Sequence, residues 1–489
     1  MPRPPHLLIF NPDQWRGDVL GHLGNPAAHT PFIDRYVREE AVSFRHAFCQ
    51  NPVCTPSRCS FMTGCYPHVR GHRTMHHMLQ PDEPMLLRTL RAAGYHVWWG
   101  GKNDVVARQR GFSDYCDVKF TPTDTLPDTH ALRPPRGDSA GDTDHYSFYV
   151  GKLEKPAGAD RYRDQDWALI EGAIAHIRNA PPDRPLCIYL PLTYPHPPYA
   201  VEDPYYSAID PHALPPRIRA EPAEAGKPAI LRGLRELQGL RGWSEARWSE
   251  LRRTYYGMCA RVDDQFRLVI EALKQSGRHD DTAVFLFSDH GDYTGDYGLV
   301  EKTQNTFEDC LTRVPFIIKP PRGHRVRPGI RDALVELIDF PATVEALCGI
   351  TPAHTHFGRS LLPLVAGDTD THRDAVFCEG GRLPTERHTR EAESLQNSGK
   401  TSRYWPRLHL QTGDGPEHGK AAMCRTDRYK YIMRLLEPDE FYDLRTDPGE
   451  TRNEIDNPAY AAPIEALRRR LLRWYMETAD VVPHTPDCR

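Results

Sequence analysis

The sequence has no Cys-x-x-Cys pair and none of the Cys/His spacings of a zinc module, although it carries 12 cysteines. Neither a structural zinc site nor a disulfide framework is expected, and the cysteines read as free thiols of a reducing compartment. Long apolar runs are missing as well. No stretch approaches the roughly 20 apolar residues that span a bilayer. The opening Met1-Pro-Arg-Pro-Pro-His6 leads only into the short apolar run 7–10, too brief for the core of a secretory signal. A cytoplasmic chain without a membrane segment is the expectation. Excess positive charge is absent too: the formal net charge is -4, so no basic field would draw in a nucleic acid. With 39% hydrophobic and 26% charged residues the chain can still bury a large core.

Five short apolar runs bounded by turn signals read as buried strands: 6–10, 95–99, 186–192, 283–287 and 314–319. Helical patterns lie between them. In 248–277, Leu251, Tyr255, Met258, Val262, Phe266, Ile270 and Leu273 recur three or four residues apart, with Gly277 as a stop. This alternation predicts an α/β fold, a mainly parallel sheet covered by helices, with ligands beyond the carboxyl ends of the strands. Polar stretches at 121–163 and 199–242 read as surface excursions able to shape a substrate pocket, and 379–420 as a divider. The expected division is residues 1–375 as a catalytic domain and 376–489 as a smaller α+β subdomain, with strands near 428–433 and 440–444 and a helix over 461–475. No internal repeat is evident.

Four of the strand candidates run directly into side chains with chemistry: Asp13 and Gln14 after the first, Lys102 after the second, His196 after the third, Asp289 and His290 after the fourth. Singly, each is more often a cap, a turn or a solvated charge. Together at one edge of a parallel sheet they describe a metal and anion site. The sharpest local signal is Asn51-Pro-Val-Cys-Thr-Pro-Ser-Arg-Cys-Ser-Phe-Met-Thr-Gly64. Thr55 reads as a helix N-cap, Pro56 as a first-turn residue and Gly64 as the stop. Cys54 then sits at a helix N-terminus one turn from Arg58, in a field that favours a thiolate or a bound oxyanion. An inert buried cysteine is the alternative.

Cys54-Thr-Pro-Ser-Arg58, followed by Thr63-Gly-Cys-Tyr-Pro-His68, resembles the signature of the type I sulfatases of the alkaline phosphatase superfamily, in which a separate formylglycine-generating enzyme oxidises the cysteine to Cα-formylglycine. The resemblance continues through Thr30-Pro-Phe-Ile-Asp34, Tyr194-Pro-His196, Ser288-Asp-His-Gly-Asp292, Gly295-Asp-Tyr-Gly-Leu299, Arg313-Val-Pro315 and Thr426-Asp-Arg-Tyr-Lys430. It implies an alkaline-phosphatase-like α/β/α sandwich with a small C-terminal antiparallel sheet. It also implies one divalent cation held by Asp13, Gln14, Asp289, His290 and the modified Cys54. Oxygen donors favour Ca²⁺ or Mg²⁺, with Ca²⁺ preferred, and the imidazole admits Mn²⁺. Gln14 for an acid and His290 for an amide are departures, shared with some phosphonate and phosphodiester hydrolases. Asp104 stands where the family commonly has histidine, and is expected to orient Lys102 or to bind a substrate hydroxyl or amine. The loop 71–77 either delivers His72 and Arg73 to the substrate or is simply solvated.

By the same resemblance the hydrated aldehyde attacks sulfur, Arg58 and Lys102 hold the nonbridging oxygens, His196 and Lys302 meet the charge on the leaving alcohol, and the second hydroxyl expels sulfate. Three functions follow: hydrolysis of a sulfate ester, with a sulfated sugar or other small molecule as substrate; a phosphonate monoester or phosphodiester hydrolase using the same nucleophile; or a non-catalytic binding protein with unmodified Cys54. The last is disfavoured because every chemical position keeps a competent residue.

Overall fold

The computed structural model describes residues 4–123, 126, 144–220, 226–392, 399–484 and 486. Parts of the expected excursions at 121–163 and 199–242, part of the 379–420 segment, and residues 1–3 of the N-terminal reading lie outside them.

The strands in chain order begin with β1 (His6–Asn11), β2 (Val42–Phe48), β3 (His96–Gly100) and β4 (Val118–Phe120). After β5 (Tyr149–Leu153) come β6 (Leu186–Pro191), β7 (Tyr199–Glu202) and β8 (Thr282–Phe287). The series continues with β9 (Arg313–Val314), β10 (Phe316–Lys319) and β11 (Gly329–Glu336). The large sheet has the order β11-β2-β10-β8-β1-β6-β3-β4, with β9 paired to β2 and the pair β5-β7 apart. β1 lies between β6 and β8 and is parallel to both, so that Leu8 faces Ile188 on one side and Val284 on the other.

Near-continuous apolar runs form these strands because both faces of the sheet are covered. Leu8, Phe10, Ile188, Leu190, Val284 and Leu286 enter one core. They meet α1 (Pro31–Glu39), α3 (Gln165–Asn179) and α5 (Glu245–Gln275). Leu7, Ile9, Tyr189, Phe285 and Phe287 face the opposite way, against α2 (Cys54–Thr63) and α6 (Asp339–Cys348). The predicted helix 248–277 is α5, which starts earlier because Ser244 caps it by accepting from the Arg247 N–H. The predicted strand 314–319 is split. Pro315 has no N–H to give a ladder, so β9 and β10 are separate. Both run antiparallel to their partners, which makes the sheet mixed.

The arrangement serves the site through adjacency. β8, β1, β6 and β3 are neighbours and parallel. Their carboxyl ends therefore open on one edge, the crevice where such sheets bind ligands.

A second, antiparallel sheet contains β12 (Val376–Gly380), β13 (Ala421–Arg425), β14 (Tyr429–Arg434) and β15 (Glu440–Asp443). α8 (Ala461–Thr478) packs on it. The ring of Trp474 stacks on Phe377 at 4.7 Å and meets Tyr66 edge-on at 4.9 Å, joining this unit to the segment after α2. Between β12 and β13 the chain forms α7 (Trp405–Thr412), against which α4 (Ala229–Gln238) lies, with Gly233 leaving room for Leu410. Among the described residues every cysteine is a free thiol, and no helix is long and apolar enough to cross a membrane.

Phe285 is fully buried and meets Phe340 edge-on at 5.0 Å. Phe285→Ala is expected to lower the unfolding free energy by about 3–5 kcal/mol, read from denaturant unfolding at constant m-value.

Candidate active site

The four strand ends deliver their side chains to one point. Asp13 follows β1 and Asp289 follows β8, and both are fully buried. Two carboxylates this close would repel in a medium that screens little. Arg58, from the second turn of α2, separates them: its Nε donates to Asp289 Oδ2 and its Nη2 to Asp13 Oδ2, each at 2.9 Å. Burial opposes the charge on Arg58, but Asp289 and Asp13 hold it well above its ordinary pKa. Burial would likewise raise Asp13, yet the cations Lys102 and Arg58 keep it well below the usual carboxylate range.

Cys54 is the first residue of α2 and lies beside this clamp. Val53, in extended conformation, occupies the cap position expected for Thr55, with no side-chain cap bond, while Gly64 ends the helix at φ 74°. The Sγ atom is 3.6 Å from Asp13 Oδ1, 3.2 Å from His290 Nε2 and 3.4 Å from Lys102 Nζ. Of the two expected anions, a bound oxyanion and a thiolate, the site does not favour the thiolate. Burial, reinforced by the Asp13 carboxylate, pushes the thiol up to about 12 against the pull of Lys102 and Lys302.

Asp13, Cys54, Asp289 and His290 place one donor atom each within 4.8 Å of one another. His290 Nδ1 is 2.9 Å from the Gly291 carbonyl, which fixes the proton there and leaves Nε2 facing the cluster as a lone-pair donor. Burial keeps this imidazole below its ordinary pKa and hence neutral. Two carboxylates, a neutral imidazole and a side chain at position 54 suit a divalent cation.

Gln14 completes a polar wall. Its backbone is in the left-handed region at φ 67°, uncommon outside glycine, and is held by the Tyr255 hydroxyl donating to its carbonyl and by Asp289 Oδ1 accepting from its N–H. The carboxamide donates to Asp292 Oδ2 at 2.5 Å and accepts from Lys302 Nζ at 2.6 Å. Lys302 also donates to His196 Nε2 at 3.0 Å, since His196 Nδ1 faces the Pro197 carbonyl. Lys102 is fixed between Asp13, 2.6 Å away, and Asp104, 3.0 Å away. Its strand exit requires glycine: Gly101 has φ 111°, and a Cβ there would strike the Pro191 carbonyl oxygen.

A cavity of about 570 Å³ opens over Cys54, lined also by Lys102, Asp104, His196 and Lys302. Arg58 does not line it: its exposure is 0%, and each of its three guanidinium nitrogens already has a partner. A contact from Arg58 to nonbridging sulfate oxygens is not what this geometry offers. His72 and Arg73 are turned away too. His72 is bound between the His77 carbonyl and Glu83, and Arg73 between the Gly381 carbonyl and Glu386. Met75, His76 and Met78 of the same stretch line the cavity instead. Glu391, Ser402, Tyr404, Arg407 and Leu408 line it too, from the segment that reads in sequence as a mere divider. Its signal is the aromatic and basic run Tyr404-Trp-Pro-Arg407. Described residues of the first excursion pack against these: Phe148 meets the Tyr404 ring at 5.0 Å, and Tyr146 stacks on Trp405.

A family model described as Sulfatase matches residues 5–350. The chain belongs to the sulfatase family. Relatives include the multifunctional alkaline phosphatase superfamily protein PehA of Trinickia caryophylli, 27% identical over 97% of this chain and 96% of that protein. The choline-sulfatase of Rhizobium meliloti is 25% identical over 99% and 90% of the two chains, and an ulvan-active sulfatase of Formosa agariphila 23% over 98% and 82%. Among solved structures, the phosphonate monoester hydrolase SpPMH of Silicibacter pomeroyi superposes with a TM-score of 0.76 at 23% identity, covering 99% of this chain and 96% of that one. The sulfatase-family fold, with its large mixed sheet and small antiparallel sheet, is thus shared along the whole chain.

Removing the cation of the clamp leaves two buried carboxylates facing each other. Arg58→Met is expected to cost about 3–5 kcal/mol of unfolding free energy in chelator-treated protein, measured by chemical denaturation.

Proposed function

We propose that the protein hydrolyses sulfate esters, those of sugars in particular, at position 54, with Cys54 converted to Cα-formylglycine. The observation that carries this reading is the contact of Cys54 Sγ with Asp13, His290 and Lys102 on the floor of an open cavity. The Sγ atom occupies the place of the oxygens that the modified side chain would carry. The hydrated aldehyde supplies the nucleophile, and a divalent cation, of which Ca²⁺ fits the oxygen donors best, supplies Lewis acidity.

Asp13, Asp289, His290 and residue 54 would hold the cation, with the Gln14 carboxamide beside them. Lys102, anchored by Asp13 and Asp104, lies where negative charge at position 54 or on the transferring group is stabilised. Lys302 and His196 act as a pair on the cavity side. Burial works against the Lys302 charge, but the anionic form of residue 54 and the Glu301 carboxylate raise its pKa above the ordinary value, so it stays cationic. It donates to His196 Nε2, and the pair offers the leaving alkoxide a proton and a positive charge at one place. The burial of Lys302 and His196 makes these charges count for more than they would in water.

A second reading, hydrolysis of phosphonate monoesters or phosphodiesters, is favoured by one feature. Gln14 and His290 put an uncharged carboxamide and an imidazole where an acid and an amide are the usual sulfatase choices, as in some phosphonate and phosphodiester hydrolases. The likeness of fold to the phosphonate monoester hydrolase SpPMH is compatible with it.

Peptide mass spectrometry across position 54 is expected to show a species about 18 Da lighter than the thiol form. That species should turn over aryl sulfates with a larger kcat/KM than aryl phosphonate monoesters, and Cys54→Ala should lower kcat at least about 10³-fold. A thiol-only peptide in active protein, or the reverse substrate order, contradicts the sulfatase reading. Dialysis against a chelator should abolish turnover and lower the melting temperature, with Ca²⁺ restoring both.

A further inference from the structure

His196 stands on the link between β6 and β7, and a general acid works only if it is held within hydrogen-bond reach of the leaving oxygen. The side chain that grips this link does not line the cavity. Asp166, in the first turn of α3 and 1% exposed, takes two consecutive N–H groups of the link on one carboxylate: Thr193 N lies 3.0 Å from both oxygens and Tyr194 N 2.8 Å from Oδ2. The Thr193 carbonyl in turn accepts from the His196 N–H at 2.9 Å, so the turn that carries the imidazole is built on a residue that Asp166 grips. The Tyr194 carbonyl accepts from the Asp13 N–H at 3.2 Å, which ties the same turn to the end of β1.

The anchor is itself fixed. Asp164 caps α3 by accepting from the Trp167 N–H. Arg261 of α5, fully buried, pairs with Asp164 and with Glu202 at the end of β7, and its guanidinium lies over the Tyr194 ring at 3.9 Å. Trp167 Nε1 also donates to Glu202, at 2.8 Å. Both ends of the 193–202 segment are therefore tied to the start of α3, with His196 between them. A buried carboxylate is a costly anchor for a turn, because its charge leaves water and must be met by hydrogen bonds. The reason for one here is that two N–H groups converge on a single side chain. A carboxylate offers an acceptor oxygen to each, whereas a carboxamide sets its own N–H against one of them.

We propose that Asp166 is a positioning residue for proton delivery: it sets the 193–196 turn so that His196 Nε2 stays beside Lys302 and within reach of the leaving oxygen. This rests on the reading of the Cys54 cavity as a sulfate-ester site in which His196 and Lys302 meet the leaving alkoxide.

The test compares kcat/KM for phenyl sulfate and 4-nitrophenyl sulfate in full-length, aldehyde-bearing protein. The two share a shape, but phenolate leaves far better with a proton while 4-nitrophenolate leaves without one. Asp166→Asn should cost about 10-fold or more on phenyl sulfate and less than about threefold on 4-nitrophenyl sulfate. His196→Gln should show the same pattern, and adding Asp166→Asn to it should cost less than about threefold further on either substrate. Asp166→Glu keeps the charge but moves it by one methylene; it should give the same pattern with a smaller loss, and it carries the test if the carboxamide variant does not fold. Equal losses on both substrates, no loss on either, or a full further loss in the His196→Gln background overturns the positioning role and leaves the sulfatase reading standing. Cleavage of phosphonate esters and of no sulfate by the unaltered protein overturns the sulfatase reading, and the same comparison on phenyl and 4-nitrophenyl phosphonates then decides the role of Asp166.

Discussion

The site depends on one guanidinium. Arg58 bridges Asp13 and Asp289, two buried carboxylates carried by the ends of adjacent parallel strands, and without it their mutual repulsion would pull β1 and β8 apart at the crevice. A buried ion cluster of this kind is not a source of net stability, since desolvation offsets much of the attraction. What it provides is placement. Because Arg58 belongs to α2, the clamp fixes that helix against the strand ends, and Ser57 strengthens the attachment by donating to the Asp289 carbonyl at 2.6 Å. The first residue of the same helix is Cys54. Its position is therefore set by the pair of carboxylates it is meant to serve.

A second polar layer holds the opposite side. The Tyr199 hydroxyl donates to Asp292 and accepts from the Glu301 N–H, Asp292 accepts from Gln14, and Gln14 accepts from Lys302. Glu301, itself at φ 68°, then lies between Lys302 and Arg407. The chain of contacts runs from the strand ends to α7 in the segment between β12 and β13. It links the strand ends to the part of the cavity lining that α7 supplies, with Glu301 in contact with both Lys302 and Arg407.

Much of this was legible in the sequence, for physical reasons that can be named. β1, β3, β6 and β8 could be read because a strand covered on both faces must be apolar throughout, and the residue that follows such a run in a parallel sheet must lie at the crevice. Cys54 and Arg58 stood out because a proline in the first turn and a glycine stop bracket a short helix. β2 was hidden by Arg45 and His46, which sit half-exposed in its middle, and β11 by its charged start. The direction of β10 could not be read, since an apolar run looks the same whether parallel or antiparallel. Glu391, Tyr404 and Arg407 escaped notice because their role comes from contacts across about a hundred residues of chain, such as Glu391 with Gln304 at a separation of 87. The partners of Arg58, and not its type, decide that it clamps carboxylates instead of touching substrate.

The central claim is that residue 54 and the ends of two parallel strands share one divalent cation. Anomalous diffraction from crystals of aldehyde-bearing protein grown with Mn²⁺ in place of Ca²⁺ measures this directly. The account predicts a single strong peak about 2.0–2.6 Å from Asp13, Asp289, His290 and residue 54. A peak at some other cluster, or a fully occupied peak that leaves residue 54 outside its coordination sphere, would contradict it.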